Sequence, residues 1–174
     1  MRYVLIAVMF LLSLILPGTV FHFWAWSGIK PDFLMLLTIY IAMHHRLPTS
    51  VCWGLGAGLL EDLFLGRYIG MYTLTLAVVA YVSYWLAERW YKENYILMTF
   101  MVFLVTAVGQ SLVGFLSLGT GLQMTLGDIA HMVIGVSLYN TVMVPLTYPF
   151  IHRSFLHGWL RNRPKYERLE RYER

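Results

Sequence analysis

Gly54-Leu55-Gly56-Ala57-Gly58-Leu59-Leu60-Glu61-Asp62 is an apolar, glycine-rich run that closes on two adjacent acids. Gly54 and Gly58 stand four residues apart, so they share one face of a helix and leave it bare enough for a second backbone to come close. Lipid offers helices no hydrophobic reason to associate, and this kind of approach replaces it. The spacing therefore points first to packing against another helix of the same chain and second to contact with another subunit, a homodimer included. The acids set a different constraint. An ionised carboxylate at the middle of a bilayer costs roughly 2.5–3.5 kcal/mol on insertion scales, so Glu61 and Asp62 belong near a span's end, with partners or water. Neighbours on a helix point about 100° apart, so the two do not form a paired-carboxylate catalytic site. A helix C-terminus repels an acid, which favours a nearby cation, Arg67 or Lys30. The reading is a structural ion pair or cap, with a site used by another chain or a ligand as the alternative.

The rest of the chain supports a membrane setting. Of 174 residues, 59% are hydrophobic and 13% charged, and the mean hydropathy is +0.62. A soluble core of this size does not hide so much apolar surface, whereas helices in a bilayer need not hide it. The net charge of +4 resembles a nucleic-acid binder's until it is located: Arg153, Arg161, Arg163, Lys165, Arg168, Arg171 and Arg174 all lie at the C-terminal end. Cys52 is the single cysteine, so no disulfide within the chain is expected.

Hydropathy divides the chain into six apolar segments, at about 3–24, 32–44, 49–66, 69–87, 95–118 and 129–151. A helix crossing the hydrocarbon needs about 20 residues, which the first, fourth, fifth and sixth segments supply. The second is short and the third is interrupted by charge; they make either two short spans, the favoured reading, or a re-entrant hairpin. His44, His45 and Arg46 between them form a polar turn that mid-membrane would penalise. Arg2 followed by an apolar run has the outline of a secretory signal, but Phe21, Phe23, Trp24 and Trp26 follow without a cleavage pattern. An uncleaved span ending in an aromatic belt is expected. In a six-span arrangement all Lys and Arg except Lys30 and Arg67 fall on one side, so both termini are expected in the cytoplasm. The domain organisation is a six-helix membrane domain at 1–152 and a basic cytoplasmic tail at 153–174. Within that tail Tyr166, Leu169 and Tyr172, with Glu167/Arg171 and Glu170/Arg174 pairs, suggest a short surface helix, read first as a solvated charged tail and second as a segment drawn to anionic lipid headgroups or a cytoplasmic partner.

Lys30-Pro31-Asp32 reads as a helix start, with Pro31 in the first turn and Asp32 at the positive end. Gln110 and Asn140 lie in apolar spans and are expected to bond between helices. Asp128 and His131 share a face and are read as a local salt link or cap. The histidines do not fall at metal-ligand spacing, and the sequence has no GxSxG, HExxH, P-loop or dinucleotide fingerprint. Neither catalysis nor a cofactor is expected.

The region from Lys30 to Glu88 resembles the rod shape-determining protein MreD family. The residues that carry the likeness are Lys30-Pro31-Asp32, Tyr40, Gly54, Gly58, Asp62, Gly66, Ile69-Gly70 and Tyr81, with Asn140 and the basic C-terminal end in addition. Ile69 stands where the family has Leu, and the tail after Arg163 has no counterpart. The resemblance implies a non-enzymatic membrane scaffold of the bacterial cell-elongation machinery. It would bind MreC and link MreB filaments to RodA and the penicillin-binding synthases of peptidoglycan, with Lys30, Pro31, Asp32, Gly54, Gly58, Glu61, Asp62, Gly66, Arg67, Gly70 and Asn140 as partner or packing residues. The family in turn resembles the substrate-binding subunits of energy-coupling-factor vitamin transporters, six-helix proteins of similar size, which supplies the alternative function. Those subunits show an Ala-xxx-Ala face on their first helix; here Ala7 is followed by Leu11.

Overall fold

The computed structural model describes residues 2–19, 29–66, 68–90, 95–120 and 125–156. Among them lie six helices: α1 (Arg2–Thr19), α2 (Phe33–His44), α3 (Leu47–Leu65), α4 (Met71–Trp90), α5 (Tyr95–Gly119) and α6 (Leu126–Leu156). Each corresponds to one apolar segment. The aromatic belt from Phe21 to Trp26, Arg67, and tail residues 157–174 with the expected surface helix lie outside the described residues.

Among the described residues two helices are long and apolar enough to cross a membrane unaided, α5 over Tyr95–Gly119 and α6 over Leu126–Pro149. α4 has the length, but Thr73, Thr75, Ser83, Glu88 and Arg89 dilute its hydropathy. The continuous apolar part of α1 is the shorter stretch Ile6–Leu16.

α2 is the centre of the bundle. It is apolar all round, as befits a helix enclosed by others, and every residue from Leu34 to Met43 is buried. At 1.5 Å per residue its 12 residues reach only about 18 Å, well short of a hydrocarbon core of about 30 Å. It touches all five other helices, while α3 packs most extensively on α4 and α5 on α6.

The start of α2 differs from the expected one. Asp32 is the residue before the first turn, and its Oδ1 accepts the Met35 N–H at 2.9 Å. Pro31 therefore precedes the cap; the proline that does occupy a first turn is Pro48, in α3. The short side-chain acceptor at the cap satisfies one of the N–H groups that a helix start leaves over. The other end closes with His44 and His45, whose Nδ1 atoms lie 2.8 and 3.0 Å from the carbonyls of Tyr40 and Ile41. At the start of α6, Asp128 forms a cap with Thr125. Its Oδ2 accepts the Thr125 N–H at 2.9 Å and hydroxyl at 2.6 Å, and the Asp128 N–H returns a bond to Thr125 Oγ1 at 3.2 Å, a reciprocal cap.

Candidate functional site

Two polar constellations hold the bundle, and the residues singled out in the sequence divide between them. The first joins α3 to α4. α3 ends at Gly66, whose φ of 64° is the left-handed conformation that closes helices and that glycine adopts without strain. Gly70, at φ 108°, makes the second bend. These two turns fold α4 back so that its first amides meet the buried Asp62 side chain. Asp62 Oδ2 accepts the Gly70 N–H at 2.8 Å, the Thr73 N–H at 3.0 Å and the Thr73 hydroxyl at 2.6 Å, while Oδ1 accepts the Tyr72 N–H at 2.9 Å. A carboxylate from the end of one helix thus serves as the cap of the next, where the positive helix end favours it. Arg67 or Lys30 is the partner expected on charge alone; backbone N–H groups at Gly70, Tyr72 and Thr73 and the Thr73 hydroxyl meet the carboxylate instead, and Arg67 lies outside the described residues.

One turn and two turns back along α3, Gly58 and Gly54 face the same helix. A Cβ on Gly58 would overlap the Tyr72 carbonyl and the Thr73 backbone, and one on Gly54 would overlap the Leu76 carbonyl. The glycine face is therefore spent within the chain. Gly56, between them, points away with nothing near an added Cβ.

The second constellation fixes α2 to α5 and α6. Gln110 Nε2 donates to Asp32 Oδ2 at 3.0 Å. Asn140 Oδ1 accepts the Asp32 N–H at 2.9 Å, and Asn140 Nδ2 donates to the Asp32 carbonyl at 3.3 Å and lies 3.5 Å from Thr106 Oγ1. Further along, the Tyr40 and Thr147 hydroxyls meet at 2.9 Å. Gln110 and Asn140 bond between helices, as polar residues inside apolar spans must. Thr106, one turn before Gln110, was not singled out; that spacing was the signal available for it. Thr73 carried no such signal, since its role depends on the turn at 66–70.

Beside this second cluster lies a cavity of about 360 Å³ at the end of the bundle where α2 begins and α3 ends. Lys30, Asp32, Glu61, Gln110 and Ser13 line it among apolar walls that include Leu14, Ile29, Phe64 and Met132. Glu61 is partly buried, and its Oε2 has no hydrogen-bond partner. Lys30 and Pro31 thus join Asp32, Glu61 and Asn140 at one locus, and Gly54, Gly58, Asp62, Gly66 and Gly70 form the other. Among the described residues no group of three or more His, Cys, Asp or Glu could hold a metal ion.

Among the described residues, a bundle around a short enclosed helix, locked by buried side-chain amides and a carboxylate cap and including two helices long and apolar enough to cross a bilayer, fits the class of all-α membrane proteins. Asp32, Gln110, Asn140 and Tyr40 join helices to one another. Residues 1–161 match the model of the rod shape-determining protein MreD family, and the chain belongs to that family. It is a membrane protein of the rod-shape machinery, which works with MreC and MreB. No curated protein and no solved structure matches the chain.

Proposed function

We propose that this chain is a non-enzymatic scaffold of the bacterial cell-elongation machinery. In this reading it crosses the cytoplasmic membrane six times, with both termini inside and a basic tail from 153 onward. It binds MreC directly and so connects MreB filaments to RodA and the penicillin-binding synthases. The observation that carries the reading is the family match over residues 1–161. The six helices in a chain of this length also support a likeness of fold to the substrate-binding subunits of energy-coupling-factor transporters.

The partner surface follows from which residues are already spent. Gly54, Gly58 and Asp62 are used against α4, so a partner helix must dock elsewhere. The outward face of α3 carries Cys52, Gly56, Leu59 and Leu63, all exposed and spaced by three or four residues. Cys52 and Gly56 leave a shallow notch where a helix could lie close, which suits the membrane helix of MreC.

The test is co-purification with MreC from membranes. Wild-type chain should retain MreC, and Gly56→Trp should lose most of it while keeping its own thermal stability. Equal MreC retention by Gly56→Trp would reject this surface, and a wild-type chain that retains none would reject direct binding.

A further inference from the structure

We infer that the cavity between the starts of α2 and α6 and the end of α3 binds a primary ammonium joined through a short linker to an anionic group, the chemistry of a phosphoethanolamine headgroup. The inference goes beyond the scaffold reading and does not depend on it.

Glu61 supplies the first half of the argument. Its Oε2 is enclosed and unpartnered, a costly state for a carboxyl oxygen away from water. Asp32, the other acid lining the cavity, is already engaged by the Met35 N–H and by Gln110. The unmet demand therefore sits on Glu61. The terminal torsion of a glutamate is broad, so turning the carboxyl presents either oxygen to the cavity without moving α3. A group that carries several N–H donors and a positive charge satisfies it best.

Lys30 supplies the second half. It lines the same cavity from the segment before α2, and as a compact ammonium with three donors it suits a phosphate oxygen. A ligand with ammonium at one end and phosphate at the other meets both residues and adds no net charge. The setting favours such a headgroup: polar residues cluster in a volume of about 360 Å³, and Leu14, Ile29, Leu34, Phe64, Leu65, Met132 and Val136 provide apolar wall along which chains could leave. A metal ion is a poorer match, since Lys30 would oppose it.

Two sources carry this chemistry, a phosphatidylethanolamine lipid and free phosphoethanolamine, and the experiment separates them. The full chain in detergent is titrated with dihexanoylphosphatidylethanolamine and, separately, with the phosphatidylcholine of the same chain length, with bound lipid counted by native mass spectrometry. The choline head keeps the charge but has no N–H to donate. Loss of a hydrogen bond between charged groups predicts about tenfold weaker retention of the choline lipid. Glu61→Gln keeps an acceptor oxygen but loses the charge that strengthens the bond, so the preference should narrow from about tenfold to about threefold. The N-methylated series of ethanolamine lipids on wild-type chain gives the same answer without any variant, as retention should fall with each methyl. Phosphoethanolamine that displaces the lipid shows that the head alone is read; selective lipid retention that phosphoethanolamine does not displace identifies the lipid as the ligand. Equal retention of ethanolamine and choline lipids by wild-type chain, or selectivity unchanged in Glu61→Gln, would overturn the inference.

Discussion

Asn140 and Asp32, 108 residues apart, hold one another by two hydrogen bonds of opposite sense: the Asp32 N–H donates to Asn140 Oδ1 at 2.9 Å, and Asn140 Nδ2 donates to the Asp32 carbonyl at 3.3 Å. A side-chain amide on α6 thereby reads a backbone amide at the start of α2 as a strand would read its neighbour. Asn140 is fully buried, so water does not replace it.

Asn140→Ala should destabilise the bundle by about 2 kcal/mol, the cost of leaving a buried N–H unsatisfied. Equilibrium unfolding in mixed micelles measures it. Asn140→Asp keeps the acceptor but sets a second oxygen against the Asp32 carbonyl, so it should be no better than alanine; a near-neutral aspartate would contradict the geometry. Gln110→Ala combined with Asn140→Ala should depart from additivity, because both act on Asp32.

Asp62→Ala should cost about 2–3 kcal/mol, since it removes a helix cap and leaves partly buried backbone donors at the start of α4 without an acceptor. Asp62→Asn should cost less, because one amide oxygen still accepts. The loss should persist at high salt: the donors are fixed amides and a hydroxyl, so mobile ions compete poorly with them. A penalty that vanished in high salt would point instead to a cation such as Lys30 as the partner of Asp62.

Gly58→Ala and Gly56→Ala make a matched pair on one helix. The first sets a methyl into the backbone of Tyr72 and Thr73 and should cost about 1–3 kcal/mol by overpacking, or more where α4 is too rigid to move. The second enters open space and should be neutral or stabilising by up to about 1 kcal/mol, because alanine favours a helix over glycine. Thermal unfolding of the two side by side tests which face of α3 is filled.

Those residues also show what could be read in advance. Six helices were legible because apolar length and charged or glycine-rich interruptions are local properties. That Gly54 and Gly58 share a packing face followed from their spacing, but the helix they meet did not. Nor did the sequence reveal that α2 is enclosed on every side, since an all-apolar helix reads the same whether lipid or protein surrounds it. Asp62 needed a partner on electrostatic grounds, and the inventory of side chains pointed to cations. Backbone N–H groups carry no letter in a sequence, so a cap supplied by α4 was visible only once the turn at Gly66 and Gly70 had been built.

The six-span topology makes a prediction that separates it from a re-entrant α2–α3 pair. Ile69 is 76% exposed in the turn between α3 and α4, and Arg46 is exposed in the turn between α2 and α3. Both readings put Ile69 on the outer side, whereas they part company at Arg46: a full pair of spans brings it to the cytoplasm, and a hairpin leaves it within the membrane. In a Cys52→Ser background, Ile69→Cys should react with a membrane-impermeant maleimide added to intact cells. Arg46→Cys should react only after the membrane is permeabilised. An Arg46→Cys variant that stays unreactive after permeabilisation, while Ile69→Cys labels from outside, would favour the hairpin. The enclosed, 12-residue α2 would then dip into the bilayer from one side rather than cross it with the help of its neighbours.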